Sequence, residues 1–144
     1  MAINSTFREL LSQSTETVER PRPLADGHYI GTIISHELGT SARKQTPFVR
    51  FQVQIEEAAS DVAEGSNEGI DFASHQLAKT LYVTPKSVYR LGDALDAVLG
   101  KEPGRSFDER IPDTRGVRVM IAVTQRPNED ETEFFNEVGT MVKA

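Results

Sequence analysis

Residues 84–100 have the sequence Thr-Pro-Lys-Ser-Val-Tyr-Arg-Leu-Gly-Asp-Ala-Leu-Asp-Ala-Val-Leu-Gly, and this stretch predicts the clearest helix of the chain. Thr84 can cap the first free amide hydrogens, and Pro85 suits the first helical position because it has no N–H to lose. Gly100 can adopt the left-handed backbone that ends a helix. The apolar residues recur at helical spacing and predict one buried face: Val88, Leu91, Ala94, Leu95, Val98 and Leu99. We therefore expect a helix over residues 85–99.

Strand-like stretches lie on both sides of this helix. Three precede it, at residues 28–36, 47–56 and about 77–83. Two follow it, the first beginning at Val117 and the second at residues 134–142. Three strands, a helix and two more strands are the element order of the oligonucleotide/oligosaccharide-binding (OB) fold. The order predicts a mainly β protein: a five-stranded antiparallel OB-type Greek-key barrel with one α-helix between strands three and four.

The second strand has the clearest alternation of the chain. Its first set of side chains is apolar and predicts the core face: Val49, Phe51, Val53 and Ile55. The other set combines an aromatic ring, a cation and two amides: Phe48, Arg50, Gln52 and Gln54. A similar inward row is expected in strand four, from Val117, Val119, Ile121 and Val123. Within the first strand, Gly31 indicates a bend or a close approach of two backbones.

Residues 1–26 are expected to form an N-terminal arm, and residues 27–144 the OB-fold domain. Ser5 can cap a short helix, and the alternating prolines near residues 19–24 favour an extended path. The arm is either a partly disordered leader or a segment that docks on its own barrel or on a neighbouring subunit.

Composition limits the classes of function. The chain has 144 residues, 38% of them hydrophobic and 26% charged, which suits one soluble domain. The absence of cysteine excludes disulfides, thiolate metal sites and a cysteine nucleophile. No apolar run is long enough to span a membrane, so we expect no membrane partner. The formal net charge of −6 argues against a nucleic-acid partner unless acids and bases are segregated.

Catalysis has little support in the sequence. His28, His36 and His75 are scattered and do not have the spacing of metal ligands. No nucleophile elbow, phosphate-binding loop or dinucleotide fingerprint is present. The carboxylates of residues 56–71 are concentrated in a glycine-containing loop that we expect to be mobile, whereas general acid–base catalysis needs fixed geometry. We therefore expect a protein that is not an enzyme and has no cofactor and no metal.

Binding of a single-stranded nucleic acid has better support. Such strands are held by aromatic faces that stack bases and by cations that follow the phosphates. The candidate interface consists of Arg43, Lys44, Phe48, Arg50, Gln52, Lys79, Tyr82 and Arg118. A secondary basic loop contributes Lys101, Arg105, Arg110 and Arg115. The alternative is that Phe48 packs against the arm or the helix and that the basic residues are ordinary surface charge.

Three stretches also resemble a known family. They are Phe7 to Tyr29, with its Glu-Arg-Pro-Arg-Pro-Leu segment, the hairpin from Gly39 to Phe51 (Gly-Thr-Ser-Ala-Arg-Lys-Gln-Thr-Pro-Phe-Val-Arg-Phe), and Phe135 to Val138. Together they resemble small bacteriophage single-stranded DNA-binding proteins. That resemblance implies an OB fold and a non-catalytic role on single-stranded DNA in phage replication or recombination, in the cytoplasm of the bacterial host.

The resemblance also implies partners, namely phage or host replication proteins and a second copy of the chain. Such binders usually recruit partners through an acidic tail, whereas this chain ends Gly-Thr-Met-Val-Lys-Ala. Either recruitment uses the acidic loop of residues 56–71 instead, or the chain has a second function. In it, the chain is a structural or assembly protein of the phage virion that acts through protein–protein contacts.

Overall fold

The computed structural model describes Leu11, residues 22–129, residue 131 and residues 133–144. The start of the helix expected at Ser5 and residues 19–21 of the proline-containing stretch lie outside the described residues. The strands are β1 (Gly27–Thr40), β2 (Pro47–Ala58), β3 (Gln76–Tyr82), β4 (Arg118–Pro127) and β5 (Phe134–Lys143). The helices are α1 (Val88–Leu99) and α2 (Phe107–Arg110), with 3-10 helices at Phe72–Ser74 and Ile111–Thr114.

The strands form one antiparallel sheet in the order β3-β2-β1-β4-β5. This confirms a mainly β fold with an antiparallel five-stranded sheet in the described residues and α1 between β3 and β4. The expected barrel is not formed: the sheet is open, because no main-chain pairing joins β3 to β5 in the part of the chain that the structure describes. A side chain lies there instead: Lys79 Nζ of β3 donates to the Val138 carbonyl of β5 at 3.5 Å.

The predicted helix is present, and its bounds are slightly shorter than expected. Residues 85–87 form a turn before α1, so the N-cap is Ser87 rather than Thr84, and among the described residues Ser87 makes no side-chain cap hydrogen bond. Thr84 Oγ1 accepts the N–H of Ser87 at 3.1 Å within that turn. Gly100 ends the helix with φ +88°. Leu91, Leu95 and Val98 are buried, as the spacing predicts.

The core lies between α1 and one side of the sheet, which we call the inner face. The inner rows of β2 and β4 are buried as predicted: Val49, Phe51, Val53, Ile55, Val119, Ile121 and Val123. Leu24, which precedes β1, is fully buried with them. Asn136 fixes its main chain, accepting from Leu24 N–H at 2.8 Å and donating to the Leu24 carbonyl at 2.9 Å. Residues just before Gly27 are therefore part of the packed domain.

Strand β1 is longer than predicted and changes register twice. It extends to Thr40, because residues 37–40 pair with residues 47–50 of β2. One register shift lies between Ile30 and Gly31 and a second between Ile33 and Ser35. The second shift inverts the alternation of β1, since a displacement by one residue moves following side chains to the other face.

Gly31 marks a close approach of two backbones, one of the two alternatives that the sequence predicts. A Cβ atom at this position would lie 2.3 Å from the Gln54 carbonyl oxygen, which belongs to the main chain of β2. Backbone atoms cannot move aside as the end of a flexible side chain can. The position therefore accepts only glycine while β1 and β2 keep their pairing.

Gly31→Ala should therefore destabilise the protein by about 1–3 kcal/mol, the usual cost of overpacking. Gly139→Ala is a matched control, because a Cβ there would meet its nearest atoms at 3.8 Å, an ordinary contact. Urea denaturation of the two variants measures the difference. Equal stability of both would contradict the close approach seen at Gly31.

Candidate nucleic-acid interface

The sheet surface opposite the core, here called the outer face, carries most of the predicted interface. Strand pairing places its side chains in cross-strand rows. From the β1–β2 loop these rows are Gly39, Phe48 and Tyr82; Glu37, Arg50 and Thr80; Ser35, Gln52 and Ala78; and Thr32, Gln54 and Gln76. The structure thus brings Phe48, Arg50, Gln52 and Tyr82 together, as the sequence predicts.

The first row is a packed aromatic group. Phe48 is only 9% exposed, because its ring lies across Gly39, where a Cβ would come within 2.7 Å of Phe48 Cζ. Tyr82 meets Phe48 edge to face, with ring centroids 6.4 Å apart, and is itself 51% exposed. The Arg50 guanidinium carbon lies 4.5 Å from the Phe48 ring centroid. Phe48 therefore supports its neighbours, and Tyr82 is the aromatic side chain of this row that a ligand can reach.

Arg50 is held in position from several sides. Its Nε donates to Thr80 Oγ1 at 3.1 Å, and its Nη1 lies 3.4 Å from Glu37 Oε2. The cation–π contact with Phe48 adds a third restraint. These contacts leave a partly exposed, oriented guanidinium beside Tyr82.

The loop between β1 and β2 presents two further cations at the same end of the outer face. Ser41 closes the loop through main-chain bonds with Gln45 and Thr46, and its hydroxyl accepts the Thr46 N–H at 3.0 Å. Arg43 and Lys44 project from the exposed turn inside this loop. Among the described residues neither has an ion-pair partner, so both remain available to an anion.

The two glutamines of β2 differ in their roles. Gln54 Nε2 lies 3.1 to 3.2 Å from several main-chain carbonyls, among them those of Phe72 and His75, so it anchors the 3-10 helix to the sheet. Gln52 is half-buried in the middle of the outer face. Its amide makes no side-chain hydrogen bond to any residue that the structure describes.

Lys79 does not lie on the outer face. Pairing of β2 with β3 runs unbroken from Gln54 to Phe48, so no bulge changes the phase, and Lys79 pairs with Phe51 on the inner side. Burial lowers the pKa of Lys79. Its ammonium group lies between β3 and β5 and is separated from the predicted interface by the sheet itself.

Arg118 reaches the outer face at the end farthest from the β1–β2 loop. It pairs with Thr32 of β1, which belongs to the last row. Its Nε lies 3.4 Å from Glu56 Oε1 and its Nη2 lies 3.5 Å from Glu57 Oε1. The same oxygen of Glu56 accepts the Thr32 hydroxyl at 2.8 Å.

Two of the four basic residues of the secondary basic loop, Arg105 and Arg110, are paired with carboxylates of this chain. Arg110, whose side chain is 4% exposed, lies 3.0 Å from Asp96 and 3.1 Å from Glu102 and donates to the Gly100 carbonyl at 2.7 Å. Its contacts join the end of α1 to α2. Arg110 is a structural ion and cannot meet a ligand.

Arg105 is engaged in the same way. It contacts Glu102 at 3.0 Å, Asp113 at 2.8 Å and Glu109 at 3.8 Å. Lys101 and Arg115 are exposed, with no ion pair inside the described ranges. This loop is therefore a weaker candidate than its count of basic residues indicates.

The acidic loop of residues 56–71 is attached to the sheet rather than detached from it. The Asp61 carboxylate accepts the main-chain N–H of His28 at 3.0 Å and lies 2.6 Å from the Nδ1 atom of the His28 ring. These hydrogen bonds, that with the ring first, hold the pKa of Asp61 below its usual value. Asn67 accepts the Ala25 N–H at 2.9 Å. Removing the loop would therefore remove contacts that hold the start of β1.

Two absences bear on other kinds of function. The described residues contain no group of three or more histidine and carboxylate side chains arranged to hold a metal ion. None of the helices among them has the length and apolar character needed to cross a membrane.

Arg110→Ala should lower the free energy of unfolding by about 3 kcal/mol, because it leaves Asp96 and Glu102 without their buried partner. Arg115→Ala is the control from the same loop and should stay within about 0.5 kcal/mol. Chemical denaturation gives both values. A stable Arg110→Ala variant with weakened nucleic-acid binding would instead place an interface on this loop.

Comparison with known proteins assigns no family to the chain. A scan of protein-family models finds no match, and a comparison with curated proteins finds none either.

Proposed function

We propose that this protein binds single-stranded DNA, without catalysis, through the outer face and the β1–β2 loop. The observation that carries the proposal is the placement of Arg43 and Lys44. These cations lie without ion-pair partners among the described residues, in the loop that leads into the row of Tyr82 and Phe48. Cations for phosphates and an exposed ring for bases therefore occur at one end of one surface, as binding of single strands requires.

The fold supports the same surface. The strand order, with α1 between β3 and β4, is compatible with the connectivity of an OB-type Greek key, although the sheet is not closed into a barrel among the described residues. OB folds bind oligonucleotides on the face of strands two and three and with the loop between strands one and two. We infer an OB-type domain, and the outer face and the β1–β2 loop occupy the corresponding positions.

The roles of the residues follow from their surroundings. Arg43 and Lys44 contact phosphates, and a base stacks on Tyr82. Arg50 presents a guanidinium that either binds phosphate or stacks on a base, while Phe48 holds it in place. Gln52, in the next row of the outer face, can form hydrogen bonds through its amide with the edge of a base.

The biological setting is part of the proposal. The resemblance of the hairpin at residues 39–51 to phage single-stranded DNA-binding proteins favours a role in phage replication or recombination, in the cytoplasm of the bacterial host. Phage or host replication proteins and a second copy of the chain are the partners expected in that role. No cofactor is required for it.

One observation favours the second candidate, a structural or assembly protein of the virion. Phe134 and Phe135 of β5 are both more than half exposed, and β5 is an edge strand among the described residues. Exposed aromatic side chains and an unpaired strand edge are suited to protein–protein contacts. These residues lie on the strand at the opposite end of the sheet order from Tyr82.

Lys44→Met should weaken binding to a labelled single-stranded oligonucleotide and flatten its salt dependence. Loss of one phosphate contact changes the slope of log affinity against log salt by about 0.7. Lys79→Met is the matched control, since it removes the same charge from the inner side of the sheet. Fluorescence anisotropy at several salt concentrations gives both slopes.

Equal slopes for the two lysine variants, with the wild-type protein binding, would move the phosphate contacts away from the β1–β2 loop. No binding by the wild-type protein at low salt would reject the nucleic-acid function. The virion role would then be the better account.

Tyr82→Ala should cost roughly 1–3 kcal/mol of binding free energy with little change of the salt slope, because stacking releases no counterion. Phe135→Ala is the comparison, since its ring is equally exposed, at 51%, on β5. Anisotropy titrations of both variants measure the contrast. A larger loss of affinity for Phe135→Ala would indicate that the DNA strand runs along β5 instead.

A further inference from the structure

Both arginines of the predicted outer-face interface are held by carboxylates of this chain. Arg50 faces Glu37 across the β1–β2 pairing, with 3.4 Å between the charged atoms. Arg118 faces Glu56 at 3.4 Å and Glu57 at 3.5 Å. A phosphate that binds either arginine must therefore compete with a carboxylate that is already there.

These ion pairs are longer than several others in the same structure, although the exposed pair of Arg105 and Glu109 is longer still, at 3.8 Å. Arg126 and Glu137 are 2.7 Å apart, and Arg105 and Asp113 are 2.8 Å apart, the distance typical of a strong charge-assisted hydrogen bond. Length and exposure both indicate weak pairs on the outer face, because the side chains of Arg118, Glu56 and Glu57 are 41–58% exposed to water. Phosphate oxygens can bind a guanidinium in a bidentate manner, which favours exchange.

The carboxylates involved are a specific subset of the acids. Asp61, from the same acidic loop, is bonded to His28 instead. Glu64 and Glu68 are exposed, and their carboxylates have no ion pair in the portion of the chain that is described. The outer face thus has acids that contact its arginines, and the neighbouring loop has acids of the same type that do not.

We propose that Glu37, Glu56 and Glu57 are exchangeable ligands of Arg50 and Arg118, which a bound strand displaces with its phosphates. This inference rests on the proposed function. These glutamates would then determine specificity for an extended polyanion, whose phosphates can replace them. A DNA strand first contacts Arg43 and Lys44, which have no ion-pair partner within the described ranges. It binds Arg50 and Arg118 only if its own phosphates replace the carboxylates.

The two exchange sites are far enough apart to act independently. The row of Arg50 and the row of Thr32 are four positions apart along β2, which is about 13 Å. Arg118 lies on β4, two strands across the sheet from Arg50. Effects at sites more than about 7–10 Å apart usually add. A ligand that exchanges both pairs must therefore be an extended polyanion rather than a single nucleotide.

The test measures affinity for a labelled oligothymidylate by anisotropy at fixed, low salt. Glu56→Gln with Glu57→Gln should tighten binding about two- to fivefold, since the pair no longer competes while glutamine can still accept the Thr32 hydroxyl. Glu37→Gln should act similarly at Arg50. Glu64→Gln with Glu68→Gln is the matched control: it removes two charges from the neighbouring loop and should give a smaller gain. Thermal melts verify that each variant folds.

A double-mutant cycle separates exchange from a general charge effect. Arg118→Gln should cost more affinity in the Glu56→Gln/Glu57→Gln background than in the wild-type protein. In that background Arg118 has no carboxylate partner among the described residues to give up before it binds a phosphate. Equal gains from the control pair, with equal costs of Arg118→Gln in both backgrounds, would overturn the exchange while leaving the proposed function intact. Failure of the wild-type protein to bind would overturn the proposed function, and the exchange with it.

Discussion

A single register shift in β1, between Ile33 and Ser35, determines which residues of the second half of β1 lie on the outer face. Before it, Tyr29 and Ile33 point into the core; after it, residues of the same parity lie on the opposite side. Glu37 therefore meets Arg50, and Gly39 lies beneath the ring of Phe48. The aromatic row, the oriented guanidinium and its carboxylate partner all depend on this one irregularity.

Much of the framework could be predicted from the sequence because it depends on local patterns. Alternation in β2 and β4 and the three-and-four spacing in α1 each report which face a residue occupies. Gly31 was also predictable, since a glycine inside an apolar strand often marks a bend or a close approach of another backbone. The length of β1 could not be predicted, because its last residues, 37–40, are mostly polar or small. They are held in the strand by pairing with β2.

The candidate site was less predictable, because contacts distant in sequence decide which charges are available. Arg110 looks like any loop arginine, yet it is buried between Asp96 and Glu102. Placing Lys79 on the same face as Tyr82 requires a bulge in β3, and the pairing of β3 with β2 has none. The burial of Phe48 could have been suspected only from Gly39, whose missing side chain makes room for the ring.

The net charge of −6 is a poor guide to what the outer face can bind. At physiological ionic strength charges are screened over about 8 Å, so a ligand on the β1–β2 loop responds mainly to nearby groups. There, Arg43 and Lys44 have no ion-pair partner among the described residues. Asp61 lies at the other end of β1, where it is bonded to His28. Acids matter most where they touch a cation, as Glu56 and Glu57 touch Arg118. A chain with a net negative charge can therefore still bind a polyanion on one surface. In the proposed exchange, the carboxylates that contact the arginines lower the affinity of that surface but do not prevent binding.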